Sequence, residues 1–220
     1  MDRVTEPELM VDDDQAVAYS EANFAESHQA AVTRFGEAFP TFSRGRVLDL
    51  ACGPADITVR FALAYPDARF VGLEGSPPML ALARQRVATT GLDDRVGFAH
   101  MMLPDPDLAQ LGTFDAVVCT NSLHHFHDPG VLWDAMKATA RPGACLFVQD
   151  LFRPDSPAAA QAIVDRSSGE PDVLLRDYYN SLLAAFTTDE IEAQLAAAGL
   201  DGFTVQTVTD HHLIAFGTAP

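Results

Sequence analysis

Short apolar runs alternate with helical patterns from about residue 45 of this 220-residue chain, and this alternation constrains the fold more than any other feature. Each run is almost continuously apolar, which is typical of a strand that is buried on both faces of a parallel sheet. The pattern therefore predicts a doubly wound α/β sheet. Its strands are expected near Arg46–Leu50, Arg69–Glu74, Arg95–His100, Phe114–Asn121 and Ala144–Asp150.

The helices between and after these runs carry local start and stop signals. Ser76 followed by Pro77 predicts a helix N-cap and a proline in the first turn. Thr187 and Glu190 have the spacing of a capping box before an apolar helical stripe. Gly199 is placed to end that helix, because glycine readily adopts the left-handed conformation that follows many helices.

The remaining segments complete a single predicted domain. Residues 15–39 and 151–186 are helical in pattern and lie outside the alternating core. We expect an N-terminal helical cap and a lid insertion over the carboxyl edge of the sheet, where ligands bind in doubly wound folds. The last two strand-like runs, joined at Asp210–His211, predict an antiparallel hairpin. In this division the core spans residues 45–150, and the last helix and hairpin span residues 187–220.

Acidic residues dominate the charge of the chain. There are 31 Asp and Glu against 14 Lys and Arg, which gives a net charge of -17. This charge repels polyanions, and no Lys/Arg-rich patch is visible that would neutralise phosphates. We therefore expect a small molecule rather than nucleic acid as the partner. No apolar run reaches 18 residues and the first ten residues are acidic, so a cytoplasmic protein without membrane contact is predicted, with a homodimer left open.

The segment 46–66 predicts a strand, a tight loop of small residues and a helix. Such a loop can pass close to a ligand, and the helix that follows offers free N–H groups. Asp49 ends this strand, and Glu74 ends the next, where its carboxylate can accept hydrogen bonds from both hydroxyls of a ribose. The combination predicts a nucleotide-type site. An NAD(P)-dependent oxidoreductase shares these features, but its usual G-x-G-x-x-G is absent from ACGPAD at residues 51–56.

Four segments resemble successive motifs of the class I S-adenosylmethionine (SAM)-dependent methyltransferases. They are VLDLACGPAD, FVGLEGSPPMLALAR, FDAVVCTNSLHHFHDP and RPGACLFVQDLFRP, within about residues 46–155. The similarity is closest in style to the small-molecule branch that includes the quinone-biosynthesis methyltransferases. It implies a Rossmann-like seven-stranded sheet, SAM as the cofactor, S-adenosylhomocysteine (SAH) as its product, and a small-molecule methyl acceptor.

The resemblance also implies which residues hold the cofactor. These are Asp49, Ala51, Cys52 and Gly53 along the methionine portion, Glu74 on the ribose, Gly75 and Ser76 beside the adenosine, Met101 and Met102 near the adenine, and Asn121, Ser122 and Leu123 beyond the fourth strand. Ala51 and Ala55 depart from the family pattern, which often has glycines there, although alanine is also small. Met101 supplies no acid for the adenine amino group, so we expect main-chain groups and apolar contact to hold the adenine.

A cluster of histidines follows the fourth strand, at the sheet edge that ligands approach. It comprises His124, His125 and His127. A metal needs several ligands that converge from fixed positions, and no Asp, Glu or Cys partner has a recognisable spacing nearby, so no metal is predicted. The resemblance places His124 on the substrate side of the cofactor, where we expect it to act as a general base. In the alternative interpretation both His124 and His125 are structural.

Other side chains are candidates for the acceptor pocket. They are Tyr19, His28, His125, Asp150, Arg153, Arg176, Tyr178, Tyr179 and Asn180. An arginine in an acidic protein is suited to clamp a carboxylate substrate. Methyl transfer from a sulfonium is an in-line displacement, which requires alignment of the acceptor and exclusion of water. The alternatives to methyl transfer are an NAD(P)-dependent oxidoreductase and a SAM-binding protein without catalysis, whose pocket would leave no room for an acceptor.

Overall fold

Seven strands form one mixed sheet in the computed structural model, which describes residues 1–22, 24–167 and 169–220. The strands are β1 (Arg44–Leu50), β2 (Asp67–Glu74), β3 (Val96–His100), β4 (Phe114–Thr120), β5 (Ala140–Leu151), β6 (Thr204–Thr207) and β7 (His212–Thr218). Their order is β3-β2-β1-β4-β5-β7-β6. The first five are parallel, and β7 is antiparallel to both β5 and β6. The predicted doubly wound sheet with a C-terminal antiparallel hairpin is confirmed.

Eight α-helices accompany the sheet in the described part of the chain. They are α1 (Asp13–Glu21), α2 (Ala25–Ala38), α3 (Asp56–Ala64), α4 (Pro77–Thr90), α5 (Gly130–Thr139), α6 (Pro157–Val164), α7 (Asp172–Ala184) and α8 (Thr188–Ala197). The predicted caps are present: Ser76 caps α4, and Thr187 and Glu190 form a capping box on α8. The helical insertion after the fifth strand is present as α6 and α7.

Two apolar clusters lie on opposite faces of the sheet. Successive side chains of a strand point to opposite faces, so Val47 joins one cluster while Leu48 and Leu50 join the other. The second of these clusters also contains the fully buried Trp133 of α5. Because both faces of the central strands are covered, the polar groups that follow β1, β2 and β4 are gathered at the carboxyl edge of the sheet.

The helix α2 packs in the core rather than over the sheet edge, which differs from the expectation for residues 15–39. Its stripe of Ala31, Val32 and Phe35 is buried, and the Phe35 ring contacts Phe61 and Phe147 with centroids 5.2 and 5.7 Å apart. An apolar stripe this wide is stabilised most by a sheet face. The preceding helix, α1, and the first turn of α2, with Ser27 and His28, reach the ligand-binding edge.

Residues 3–12, here called the N-terminal strap, lie across the carboxyl edge of the sheet. Val4 donates its N–H to the Leu183 carbonyl at 3.0 Å, and the Ser76 hydroxyl donates to the Met10 carbonyl at 2.5 Å. The strap therefore joins α7 to the start of α4. No helix within the described ranges has the length and apolar character needed to span a bilayer.

Candidate active site

A cavity of about 790 Å³ opens at the carboxyl edge of the sheet. Its walls come from the loops that follow β1, β2, β3 and β4, from the N-terminal strap, and from α1 and α7. The strand order reverses between β1 and β4, since the chain runs outward from β1 in both directions. Ligands of doubly wound sheets bind at such a switch point.

The loop after β1 turns sharply through positive-φ residues. Ala51, Gly53 and Ala55 have φ values of 56°, 53° and 60°. Left-handed backbone costs an L-residue with a Cβ roughly 1–2 kcal/mol, so the two alanines carry strain that glycines would not. The turn points the Gly53 N–H toward β2, where it donates to Glu74 Oε2 at 2.9 Å.

The Glu74 carboxylate is held by two main-chain groups. Its Oε1 accepts the Ser76 N–H at 2.8 Å while Oε2 accepts the Gly53 N–H, and the residue is buried yet lines the cavity. Burial raises the pKa of Glu74, although these N–H donors oppose the rise. Each carboxylate oxygen accepts more than one hydrogen bond, so the oriented group can still receive two hydroxyls.

Apolar side chains line the cavity beside Glu74. Met79, Met101 and Leu103 form part of the wall, with Met102 at 46% exposure. The strap closes the same region, because a Cβ on Gly75 would lie 2.9 Å from Leu9 Cδ2. This wall suits an aromatic base held by apolar contact.

Two buried oxygens near the switch point have no hydrogen-bond partner among the described residues. They are Asp49 Oδ1 and Asn121 Oδ1. The other Asp49 oxygen accepts the Thr58 hydroxyl at 2.6 Å, and burial raises the pKa of Asp49 to about 7. The Ser122 hydroxyl donates to the Ala51 carbonyl at 3.2 Å, which ties the loop after β4 to the loop after β1. Unpaired buried acceptors are costly and indicate a missing donor such as an ammonium group.

His124 forms a buried pair with Asp150. Its Nδ1 lies 2.6 Å from Asp150 Oδ1, and its main-chain N–H donates to Asp150 Oδ2 at 2.8 Å. Burial lowers the pKa of His124, but the Asp150 carboxylate outweighs this and the net shift is upward. Since Nδ1 faces the carboxylate, Nε2 is the ring nitrogen left for chemistry. His124 lines the cavity, and Asp150 lies behind it.

The strap brings Glu6 to this pair. Its Oε1 lies 3.4 Å from both His124 Nε2 and His125 Nδ1 and accepts the Ser181 hydroxyl at 3.0 Å. His125 also contacts the Pro7 carbonyl at 3.2 Å, and burial lowers its pKa to about 3, so its ring is neutral. The ligand atoms of Glu6, His124 and His125 lie within 4.8 Å of one another and could hold a metal ion. The spacing of residues 124–127 did not indicate this group of three possible metal ligands, because Glu6 is remote in sequence.

A second polar cluster ties α1 and α2 to the first loop. Asp56 accepts hydrogen bonds from His28, Arg60 and Arg86 at 2.7, 2.7 and 2.8 Å. Burial raises the pKa of Asp56, but these donors outweigh it and hold the pKa well below its usual value. Arg86 also donates to the Ser20 carbonyl and hydroxyl at the end of α1. The hydrogen bond to Asp56 holds His28 at the cavity wall.

The structure gathers most of the sequence-predicted residues around one cavity. Those that line it are Tyr19, His28, Ala51, Cys52, Gly53, Glu74, Gly75, Met101, Met102, Asn121, Ser122, His124, His125, Arg176, Tyr178 and Asn180. Those that do not are Asp49, Ser76, Leu123, Asp150, Arg153 and Tyr179. Ser76 is buried against the strap, and Leu123 is fully buried in the core.

Arg153 forms hydrogen bonds outside the cavity and does not line it. Its guanidinium donates to the Ala185 carbonyl at 2.8 Å and to Glu190 Oε1 at 2.6 Å, and it contacts the Met1 carbonyl at 3.1 Å. Tyr179 packs against the apolar cluster of α6 and α7. Sequence reasoning assigned no role to Glu6 or Ser181, which meet across 175 residues and carry no local signal.

The middle of the chain matches a known family. A family described as a methyltransferase domain matches residues 47–143, from β1 into β5. The chain is 29% identical to 27-O-demethylrifamycin SV methyltransferase of Amycolatopsis mediterranei over 86% of this chain and 66% of that one. It is 34% identical to demethylmenaquinone methyltransferase of Thermus thermophilus over 55% of this chain and 53% of that one. The chain thus spans about half to two thirds of the lengths of these relatives, and the expected similarity to quinone-biosynthesis methyltransferases is confirmed.

Solved structures share the fold. The crystal structure of a plantazolicin methyltransferase with SAH and a triazolic desmethylPZN analogue superposes with a TM-score of 0.68 at 13% identity, covering 94% of this chain and 90% of that one. At this identity the likeness concerns the fold alone. The sheet order and the C-terminal hairpin are consistent with the family match. Residues 47–143 therefore match a methyltransferase-domain family, and the chain shares the fold of the plantazolicin methyltransferase.

Proposed function

We propose that this protein transfers a methyl group from SAM to a small-molecule acceptor and releases SAH. One observation carries the proposal: the oriented Glu74 carboxylate and the His124 ring of the His124–Asp150 pair line the same cavity. The first is suited to a ribose and the second to an ionisable acceptor. The names of the two relatives support methyl transfer, and the SAH-bound neighbour supports SAM as the cofactor.

The residues around the cavity fit SAM group by group. Glu74 would accept the ribose hydroxyls, and the apolar wall at Met101 would contact the adenine. The unpartnered Oδ1 of Asn121, which lines the cavity, and that of Asp49, which is buried at the end of β1 before the cavity-lining loop, would accept hydrogen bonds from the α-ammonium group. This last assignment gives a donor to two buried acceptors that otherwise lack one.

The protein's part in methyl transfer is to position the acceptor, exclude water and hold a proton. When bound, SAM supplies an electrophilic methyl group. The strap, α1 and α7 close around the cavity, which favours alignment of the acceptor and exclusion of water. His124 Nε2 takes the proton that a hydroxyl or ammonium acceptor must lose, and the imidazolium is stabilised by Asp150.

Calorimetric titration of the purified chain with SAH and with NADH tests the proposal. SAH is expected to bind, and NADH is not, because ACGPAD lacks the glycine pattern of the dinucleotide loop. Saturating SAH should also raise the unfolding temperature, since a ligand at about 100-fold excess over Kd stabilises by ~2.7 kcal/mol. Binding of NADH without binding of SAH would overturn the proposal.

Several expectations from the sequence remain predictions. These are the single-domain organisation, the cytoplasmic location, the absence of nucleic-acid binding and the open question of a homodimer. For nucleic acid, the net charge of -17 makes the phosphate interaction repulsive. A mobility-shift assay with tRNA should show no complex at physiological salt.

A further inference from the structure

The cavity carries a strong excess of negative charge. Among the described residues that line it there are seven carboxylates and a single guanidinium, that of Arg176. Of the seven, Asp56 is paired with Arg60 and Arg86, which leaves six carboxylates in excess of that pairing. Arg176 pairs with Asp177 at 3.0 Å, and its side chain is 66% exposed, so it points no free positive charge at a ligand. Arg153, the other arginine expected to clamp a carboxylate, is bonded elsewhere. An anionic acceptor would therefore enter against the local field.

Glu6 is the cavity-lining carboxylate beside His124, and among the described residues it has no Lys or Arg partner. Its side chain is only 11% exposed, and burial raises its pKa. Oε1 accepts the Ser181 hydroxyl, whereas Oε2 makes no hydrogen bond within the described ranges. The contacts of Oε1 with His124 and His125, both 3.4 Å, are longer than the 2.7–2.9 Å typical of charge-assisted hydrogen bonds.

The one arginine of the strap does not neutralise Glu6. Arg3 donates to the main-chain carbonyls of Ala184, His124 and Phe126, and its guanidinium stacks 3.9 Å from the centre of the Phe186 ring. Its hydrogen bonds thus fix the strap to the loop after β4. While His124 is neutral, Glu6 is, among the residues that the structure describes, a buried carboxylate without a paired cation. Such a group is costly, and a cationic ligand would remove that cost.

We propose that Glu6 binds the ammonium group of an amine acceptor, so that the protein selects amines over carboxylates and phosphates. The inference rests on the methyl-transfer function proposed above. Aromatic rings favour the same ligands, because Tyr19, Phe24, Phe126 and Tyr178 line the cavity and ring faces attract cations. The acceptor nitrogen would then lie beside both Glu6 and His124 Nε2.

The chemistry balances with the groups present. An ammonium has no lone pair, so it first gives one proton to His124 Nε2, and Glu6 holds the resulting amine in place. The nitrogen lone pair then forms the C–N bond to the methyl carbon while the C–S bond breaks and its electron pair returns to sulfur. The products are the methylated ammonium and SAH, and the imidazolium releases its proton to solvent.

Three aromatic probes of matched shape test the assignment. Benzylamine, benzyl alcohol and benzoate are titrated calorimetrically into the SAH-saturated protein in EDTA. We expect benzylamine to bind at least tenfold more tightly than benzyl alcohol, and benzoate more weakly than either. Glu6→Gln should abolish the preference for benzylamine and leave the Kd of SAH unchanged. Glu8→Gln is the matched control, because Glu8 lies on the same strap but bonds the main chain of His127, and it should keep the preference.

Equal or tighter binding of benzyl alcohol or benzoate to the wild type would overturn the proposal, as would a preference that survives Glu6→Gln. If Glu6→Gln does not fold, the ranking of the three probes on the wild type decides alone. A titration with Zn²⁺ in place of EDTA tests whether Glu6, His124 and His125 form a metal site instead of an ammonium site. Tight Zn²⁺ binding that displaces benzylamine and allows benzoate to bind would also overturn the proposal. Failure to bind SAH would instead remove the proposed methyl-transfer function.

Discussion

Two parts of the cavity are built in different ways: the part around Glu74 that is proposed to hold SAM, called the cofactor region, and the part around Glu6 and His124 that is proposed to hold the acceptor, called the acceptor region. The centre of the cofactor region comes from two successive loops, after β1 and β2, where the main-chain N–H groups of Gly53 and Ser76 orient the Glu74 carboxylate. The acceptor region joins side chains from distant elements, since Glu6 meets Ser181 across 175 residues. The main-chain geometry around Glu74 follows from a local sequence motif. The acceptor region, in contrast, forms only when distant parts of the chain have folded together.

The difference predicts how the two regions respond to substitution. A change in the cofactor region should alter affinity for SAH, because its side chains act directly on the ligand. A change in the acceptor region should alter turnover and acceptor choice while leaving SAH affinity unchanged. A substitution in either region that changed both SAH affinity and acceptor choice would weaken this distinction between the two regions.

The largest effect is expected at His124. If His124 is the general base, His124→Ala should lower kcat by about 10²–10⁴-fold with nearly unchanged SAH affinity. Because the Asp150 carboxylate raises the pKa of His124, wild-type kcat should rise with pH through a value above 6.5 as the imidazolium deprotonates. The variant should lose this limb of the pH profile.

His127→Ala is the control for this experiment, since His127 belongs to the same cluster but is exposed and contacts the Glu6 carbonyl through Nε2. It should keep the wild-type profile. An unchanged profile and a kcat within about threefold for His124→Ala, under ~0.7 kcal/mol in barrier, would make His124 structural.

The next effect is expected at Glu74. Hydrogen bonds from ribose hydroxyls to its carboxylate should be worth about 1.5–3 kcal/mol, so Glu74→Ala should weaken SAH binding roughly 10- to 100-fold. Glu37→Ala, on α2 away from the cavity, is the control in the calorimetric titration. Equal SAH affinities for Glu74→Ala and the wild type would remove Glu74 from the site.

A smaller effect, on stability, is expected at Asp56, which links α1 and α2 to the cofactor loop. Its donors hold its pKa below the unfolded value, so its contribution is present above pH ~4 and is lost as pH falls through the lowered folded pKa. Asp56→Asn should lower the free energy of unfolding by roughly 2 kcal/mol at pH 7 and by less at pH 3. Urea titrations at the two pH values measure this, and a pH-independent difference would contradict it.

The smallest effect is a proton released on cofactor binding. Burial raises the pKa of Asp49 to about 7, and the ammonium of SAH would favour the ionised carboxylate. At pH 7 roughly half a proton should leave per SAH bound. Titrations in buffers of different ionisation enthalpy detect it. Asp49→Asn should remove the buffer dependence, and a wild type without any such dependence would exclude Asp49 from the ammonium site.

Most of the fold and of the cofactor region could be predicted from the sequence because both depend on local patterns. Apolar runs located β1–β5, and the acid at the end of β2 located Glu74. The acceptor region was only partly predictable. His124 follows a strand, and its position at the cavity was predicted. The strap that carries Glu6 has no periodic pattern, and its position depends on hydrogen bonds such as that from Arg3 to the carbonyl of His124. Arg153 resembles a substrate clamp in sequence, yet packing turns it toward Glu190.

The most direct test of the account is a crystal structure of the protein with SAH. The ribose hydroxyls should lie within hydrogen-bond distance of the Glu74 carboxylate, and the sulfur should face the space between His124 and Glu6. A ribose bound away from Glu74, or a sulfur that faces away from His124, would contradict the division of the cavity into a cofactor region and an acceptor region.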